Sequence, residues 1–461
     1  MKASLYSLMS MLALVLVATT SNAGSFTSAS TGDWDLVSTW SYTGDADGVP
    51  DADDDVTILV GHMITLSTVA GKSCRNLLVH DTIIINNSID LAIYGNYTVN
   101  GAERGLGAIT FMPGSGTYIN GGGDFGNMVK YIFASGSERY IMAGTTIKKN
   151  FDLIIDSTTL TNFGDLSLKD VIAQPTAVFV NATGAVLTLF QPNFMAGATF
   201  DATSVNNTVI MRTGGNLPLT VSTTYSNLVV VDNVTDIMLT AATIIKEDLV
   251  FTGTGSINQN EFDLTVSGNF LQTDSGGIIQ YDNEFLVLNG VLPVQTISTT
   301  LLNLRQLSIQ NMNGIEHASG TIRLVSQLSL EGGNFTINPA ATFIMLSDAT
   351  ETARIDESMY GEIIIGDMTI QRYITGQAEG RDTSWINLSS PVVSGTFSDW
   401  ENELYFNYLP GSASNSRAFS ESNDTWDDVT SSTRALLPGE GYEIFLADNA
   451  TMQNWSGTTL T

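Results

Sequence analysis

From about residue 55 to residue 370 one phrase recurs along the chain: four to six β-branched or apolar residues, then a turn of Gly, Asn, Asp, Ser or Thr. Val56 to Val60, Thr82 to Ile85, Leu153 to Ile155, Leu228 to Val231, Leu264 to Val266, Phe285 to Leu288 and Thr342 to Leu346 are examples. Helical spacing of apolar residues is nearly absent, so the phrases predict short strands separated by tight turns. A longer similarity lies over them. IMAGTTIKKNFDLIID starts at Ile141, LTVSTTYSNLVVVD at Leu219 and QTISTTLLNLRQLSIQ at Gln295, and their threonine pairs are spaced 223 − 145 = 78 and 299 − 223 = 76. Such a period predicts a repeat architecture.

Short strands with almost no helix exclude parallel sheets built on helical crossovers, leaving a string of sandwiches or a β-solenoid. No tryptophan occurs between Trp40 and Trp385, whereas a sandwich commonly closes around one. Stackable Leu, Val, Ile, Asn and Thr between small polar turns suit a solenoid whose coils bury their inner faces on one another. The expected fold is therefore all-β: a right-handed parallel β-helix of coils of about 25 residues, then a small β-sandwich-like domain. The expected boundaries are a leader at 1–23, a cap at 24–54, the repeats at 55–371 and the C-terminal module at 372–461. Trp34 and Trp40 belong to the cap, since an open solenoid edge invites pairing with another chain unless covered. The closing segment Thr458 to Thr461 predicts a strand just starting, and with it a chain that continues.

Composition narrows the partners. Of 461 residues, 43% are apolar and 14% charged, too hydrophobic a mixture for disorder. The 47 acidic against 18 basic residues leave a formal charge of −29, which argues against nucleic acid and other polyanions. Divalent cations, neutral sugars and extracellular surfaces fit better. The opening MKASLYSLMSMLALVLVATTSNA has a lysine, an apolar run and a small-residue end, the pattern of an export signal cleaved after Ala23. No later apolar run is long enough to span a membrane as a helix. The expected location is extracellular or on the cell surface. Cys74 stands alone, so it forms no internal disulfide and is expected to be a small buried residue.

GDWDLVSTW (Gly32 to Trp40), Pro50, Asp54-Asp55-Val56 and ILVGHMITL resemble the N-terminal segment that opens many secreted bacterial β-helix proteins exported by the type IX system. MTIQRYITG from Met368, WINLSSPV from Trp385 and LLPGEGYEIF from Leu436 resemble a module of the same proteins. The resemblance implies a surface scaffold or adhesin-like stalk, in some members joined to carbohydrate-active domains. A terminal type IX sorting domain is not seen.

The loop DADGVPDADDD, Asp45 to Asp55, alternates aspartate with glycine and proline as a loop wrapped around calcium would. It is similar to the phrase of thrombospondin type 3 calcium repeats. Asp45, Asp47, Asp51 and Asp53 are the candidate calcium ligands. It is not an EF-hand, because its glycine is fourth and its twelfth residue is Val56. The alternative is a solvated turn entering the first strand. His62, His80 and His317 are scattered, with no zinc motif and no G-x-S-x-G elbow. GGGDFG at Gly121 to Gly126 matches a phosphate-loop pattern, but a strand follows it rather than a helix, so it reads as a loop. Arg212, Arg305 and Arg323 stand isolated, and no catalytic constellation of a β-helix lyase or hydrolase is evident. Such a site assembled from carboxylates of different coils stays open as an alternative. The leading expectation is a non-catalytic secreted scaffold. The second is the carbohydrate-binding part of a larger secreted enzyme, using Trp385, Trp400, Tyr405, Tyr408, Trp426, Tyr442 and Trp455.

Overall fold

Along the strands, side chains alternate between buried and partly exposed: Val56 and Ile58 point inward while Asp55 and Thr57 do not, and Ile83 and Ile85 do the same. Period-two alternation permits one buried face. Parallel pairing at constant register then sets each inward residue on its equivalent in the next coil. In the computed structural model, Val56 lies opposite Leu77 and Leu77 opposite Tyr97, and in a second row Ile64 opposes Ile83 and Ile83 opposes Glu103. The protein is all-β, a parallel β-solenoid of about 14 turns with a C-terminal region of antiparallel strands.

The structure describes residues 23–445 and 457–460, except 69–70, 115, 127, 137, 213–214, 218–219, 233–235, 292–293, 359, 376–384, 391–394, 402–403 and 409–413. Residues 1–22 of the predicted leader, and Trp455, lie outside them. Among the described residues no helix is long and apolar enough to cross a membrane. By contacts the chain forms two compact units, Met1–Phe179 with Met195–Ala198, and Val180–Phe194 with Thr199–Thr461.

In the first unit the strand Ser25–Ser28 pairs in parallel with Asp55–Ile58 on one side and antiparallel with Trp40–Thr43 on the other. The antiparallel strand covers the open edge of the ladder. Trp34 and Trp40 are buried, the Trp40 Nε1–H donating to the Trp34 carbonyl at 2.8 Å, with Phe26 edge-on to Trp40. The rings of Trp34 and Trp40 pack edge to face, centroids 5.3 Å apart.

In the second unit the rows Val209, Leu228, Leu249, Phe270 and Ile245, Val266, Leu288, Ile309, Leu330 continue the stacking. A third row holds Ile237, Ile257 and Ile278. The coil Leu228 to Leu249 spans 249 − 228 = 21 residues, shorter than expected because the corners are turned in very few residues. Thr223 lies in a strand paired to Thr243–Ile245, whereas Thr299 follows Ile297, which opposes Phe270 in a different row. The 76-residue spacing thus corresponds to three coils and one face, and the structural repeat is the coil. The last ladder pairing is Met345 with Ile370. Arg372–Thr375 then pairs antiparallel with Gly457–Leu460. A four-stranded antiparallel sheet follows, ordered Trp385–Leu388, Tyr442–Phe445, Ser416–Ser420, Thr425–Asp428.

Candidate functional site

Among the described residues, four places bring charged or aromatic side chains together. The first is the acidic loop. Asp45, Asp47 and Asp51 each accept a backbone N–H of their own loop, from Ala46 at 2.6 Å, Val49 at 3.0 Å and Asp53 at 3.0 Å. Asp54 is buried and ties the loop to the residue before the strand Ser25–Ser28, accepting Gly24 N–H at 2.6 Å and Asp51 N–H at 2.7 Å. Burial raises its pKa above the usual carboxylate range, against the pull of those amides. The amide of Val49 favours the Asp47 carboxylate, but the Asp45 carboxyl beside it and burial outweigh that, and its pKa is raised. Among the described residues no three His, Cys, Asp or Glu side chains are gathered as a metal ion would require. Of the candidate ligands Asp45, Asp47, Asp51 and Asp53, the first two have their carboxyls hydrogen-bonded to each other.

The second place is a surface groove of about 620 Å³ in the second unit, lined in part by Asn206, Asn227, Lys246, Glu247, Asp248 and Asn269. Its carboxylates come from neighbouring positions on one corner. Glu247 accepts Asn206 N–H through Oε1 at 3.0 Å and the Asn227 amide through Oε2 at 2.5 Å. Asn227 Oδ1 accepts Asp248 N–H at 3.0 Å, Asp248 Oδ1 accepts Asn269 N–H at 2.7 Å, and Asn269 Oδ1 accepts Thr296 N–H at 3.0 Å. Asn227, Asp248 and Asn269 each satisfy a backbone donor one coil on, while Glu247 reaches back to a donor 41 residues earlier, at a corner where strand pairing is interrupted. The first unit repeats the device: Asn76 Oδ1 accepts Asn96 N–H at 2.7 Å, and Asn96 Oδ1 accepts Tyr118 N–H at 3.0 Å.

Inside the first unit lies a charge network that the sequence reading did not single out. Glu103 occupies the inward position of the isoleucine row and Lys149 the position after Ile147 on the same face. Lys149 Nζ donates to Glu103 Oε1 at 2.6 Å and to the Gly126 carbonyl at 2.8 Å, and stands 3.7 Å from the Tyr131 ring centroid. The hydroxyls of Tyr97 and Tyr131 each donate to Glu103 Oε2 at 2.7 Å. Burial, then the Glu103 charge, pushes both phenol pKa values well up; burial lowers that of Lys149. Gly126 closes the GGGDFG segment, and a Cβ there would stand 2.2 Å from the Glu103 carbonyl. Gly121, Gly123 and Gly126 serve close coil-on-coil stacking, and the strand Lys130–Phe133 follows, as read. Arg139 is also buried, donating to the carbonyls of Ile93 at 3.0 Å, Met112 at 2.8 Å and Gly95, and burial lowers its pKa to about 10.

The other residues noted in the sequence are dispersed. His62 Nδ1 shares a hydrogen bond with Ser28 Oγ at 2.8 Å, and His317 is buried parallel to Phe335. Arg305 is not isolated: it pairs with Glu351 at 2.9 Å.

The fourth place is the C-terminal sheet. Its inner face supplies Ala418, Tyr442 and Ile444, with Ile386 and Leu388 beside them, to a core around Phe397, Phe406 and Leu436, against which Trp400 and Tyr408 pack. Its other face carries Trp385, Phe445, Arg417, Phe419 and Trp426. No protein-family model, curated protein or solved structure matches this chain.

Proposed function

We propose that the protein is a non-catalytic, secreted or cell-surface scaffold of adhesin-like character, exported behind the leader predicted at residues 1–23. The solenoid holds the C-terminal region for contact with an extracellular surface. The observation that carries this reading is the state of the groove carboxylates. Both Glu247 oxygens accept hydrogen bonds from protein donors, and Asp248 braces the next coil through Asn269. A glycosidase needs one carboxyl free to give a proton and another free to attack or activate water, while these bind coil to coil. Export by the type IX route and attachment to a surface rest on the resemblance of Gly32 to Trp40 and of the C-terminal phrases.

The test is incubation with a panel of polysaccharides, reading new reducing ends and new unsaturated sugars. No cleavage is expected, and Glu247→Gln and Asp248→Asn are expected to change stability only. Cleavage by the wild-type chain that disappears in either variant would overturn the reading.

A second reading, a carbohydrate-binding role, is favoured by one observation. Trp385 and Trp426 keep 37% and 39% of their surface exposed while Tyr442, Phe397 and Phe406 of the same region are buried.

A further inference from the structure

The outer face of the C-terminal sheet is laid out in rows fixed by strand register. Trp385 stands beside Phe445 on the neighbouring strand, ring centroids 5.3 Å apart at 67°. The next row across the sheet holds Asn387, Glu443, Arg417 and Asp428. Beyond it Phe419 stands beside Trp426, centroids 5.2 Å apart at 58°. Each exposed indole is thus backed by a phenyl ring, and a polar row separates the two pairs. The polar row is itself ordered. The Arg417 guanidinium lies 4.8 Å from the Trp385 ring centroid and within 3.5 Å of Asp428 and 3.7 Å of Glu443.

We infer that this face is a binding platform for an uncharged polysaccharide, an assignment that rests on the carbohydrate-binding reading and names its residues and ligand class. One face of a pyranose ring presents C–H groups that seat on the negative face of an indole, while its rim presents hydroxyls that need donors and acceptors. Trp385 and Trp426 supply the two stacking faces; Asn387, Glu443, Arg417 and Asp428 supply the polar row between them. Strand spacing and rise put the two indoles roughly 20 Å apart, so an oligosaccharide rather than a single sugar bridges both. Charge sets the ligand class. Arg417 is matched by two carboxylates, which leaves the face net acidic on a chain of formal charge −29, and a polyanionic glycan is repelled. The phenyl rings behind the indoles restrict their rotation, which lowers the ordering cost of binding.

The test uses the full chain. Cellohexaose, laminarihexaose and maltohexaose are titrated against tryptophan fluorescence, and retention on the corresponding insoluble glucans is measured. At least one is expected to bind, with affinity falling about tenfold or more in Trp385→Ala and in Trp426→Ala, while the melting temperature stays that of the wild type. A readout without variants accompanies it: oxidation by N-bromosuccinimide followed by peptide mass, in which the bound hexasaccharide is expected to protect the peptides holding Trp385 and Trp426. Binding to none of the probes would overturn both the platform and the carbohydrate-binding reading. Binding that leaves both tryptophans unprotected and both variants at full affinity would overturn the platform alone.

Discussion

Lys149 Nζ lies 2.6 Å from Glu103 Oε1, with at most 1% of either side chain exposed. The pair joins residues 46 apart in sequence inside a solenoid whose other inward positions are chiefly Ile, Leu, Val and Phe. Taking two charges out of water costs several kcal/mol for each, and only close pairing with further hydrogen bonds offsets it. Tyr97, Tyr131 and the Gly126 carbonyl supply those bonds. A register slip of one residue would turn these groups to the outer face, so the pair fixes the stacking of particular coils.

Lys149→Met leaves the Glu103 carboxylate buried without its counter-ion, and a loss of about 3–5 kcal/mol is expected in chemical denaturation. Adding Glu103→Gln removes that charge too. The double variant is expected to lose less than the two single losses added together. Strict additivity would show that the two groups do not act as a unit.

His317 gives the stability a pH dependence. Burial lowers its pKa from 6.5 to about 4, so the folded chain holds it neutral while the unfolded chain takes a proton as the pH falls below about 6.5. Its contribution is unchanged above that value, is lost progressively from 6.5 down to 4, and levels off below. Between pH 7 and pH 5 the loss is about 2 kcal/mol. In His317→Phe, which keeps an aromatic ring beside Phe335, that part of the acid sensitivity is expected to vanish, so the stability difference between the two proteins shifts by about 2 kcal/mol from pH 7 to pH 5. Identical pH profiles would contradict the assignment.

Cys74 is fully buried, and burial, with the nearby Asp55 and Asp54 charges, pushes its thiol far up. A thiol reagent at pH 8 is expected to leave the native protein unlabelled and to add one equivalent in guanidinium chloride. Rapid native labelling would place Cys74 at the surface.

Asn227 sits at the junction of the corner ladder, donating to Glu247 and accepting from Asp248. Asn227→Ala leaves the Asp248 N–H without its acceptor. An expected cost of about 1–3 kcal/mol is read from the denaturation midpoint; a neutral variant would show that water replaces the amide without penalty.

The strands and their parallel stacking were legible in the chain because β-branched residues at period two, punctuated by small turn residues, admit few other folds. The C-terminal change to antiparallel strands was legible from the return of tryptophan. The Glu103–Lys149 pair was not, since it depends on which coil positions point inward. The signal was there in outline: Lys149 falls two residues after inward Ile147, and Glu103 opposes Ile83. The acidic loop was visible as charge, but not the amides its aspartates accept, because those depend on how the loop folds back on itself. Among the aromatics of the last segment, sequence did not separate Tyr442 in the core from Trp385 on the outer face; register does.

The central claim, a scaffold that holds surfaces rather than cuts them, is tested most directly by bead attachment under flow. Beads coated with the intact protein are passed over an uncharged glucan film while the effluent is assayed for released sugar. The account expects attachment well above that of bare beads, with no sugar released above background. Steady sugar release would contradict it, whereas attachment at the bare-bead level would remove an uncharged glucan as the surface that is held.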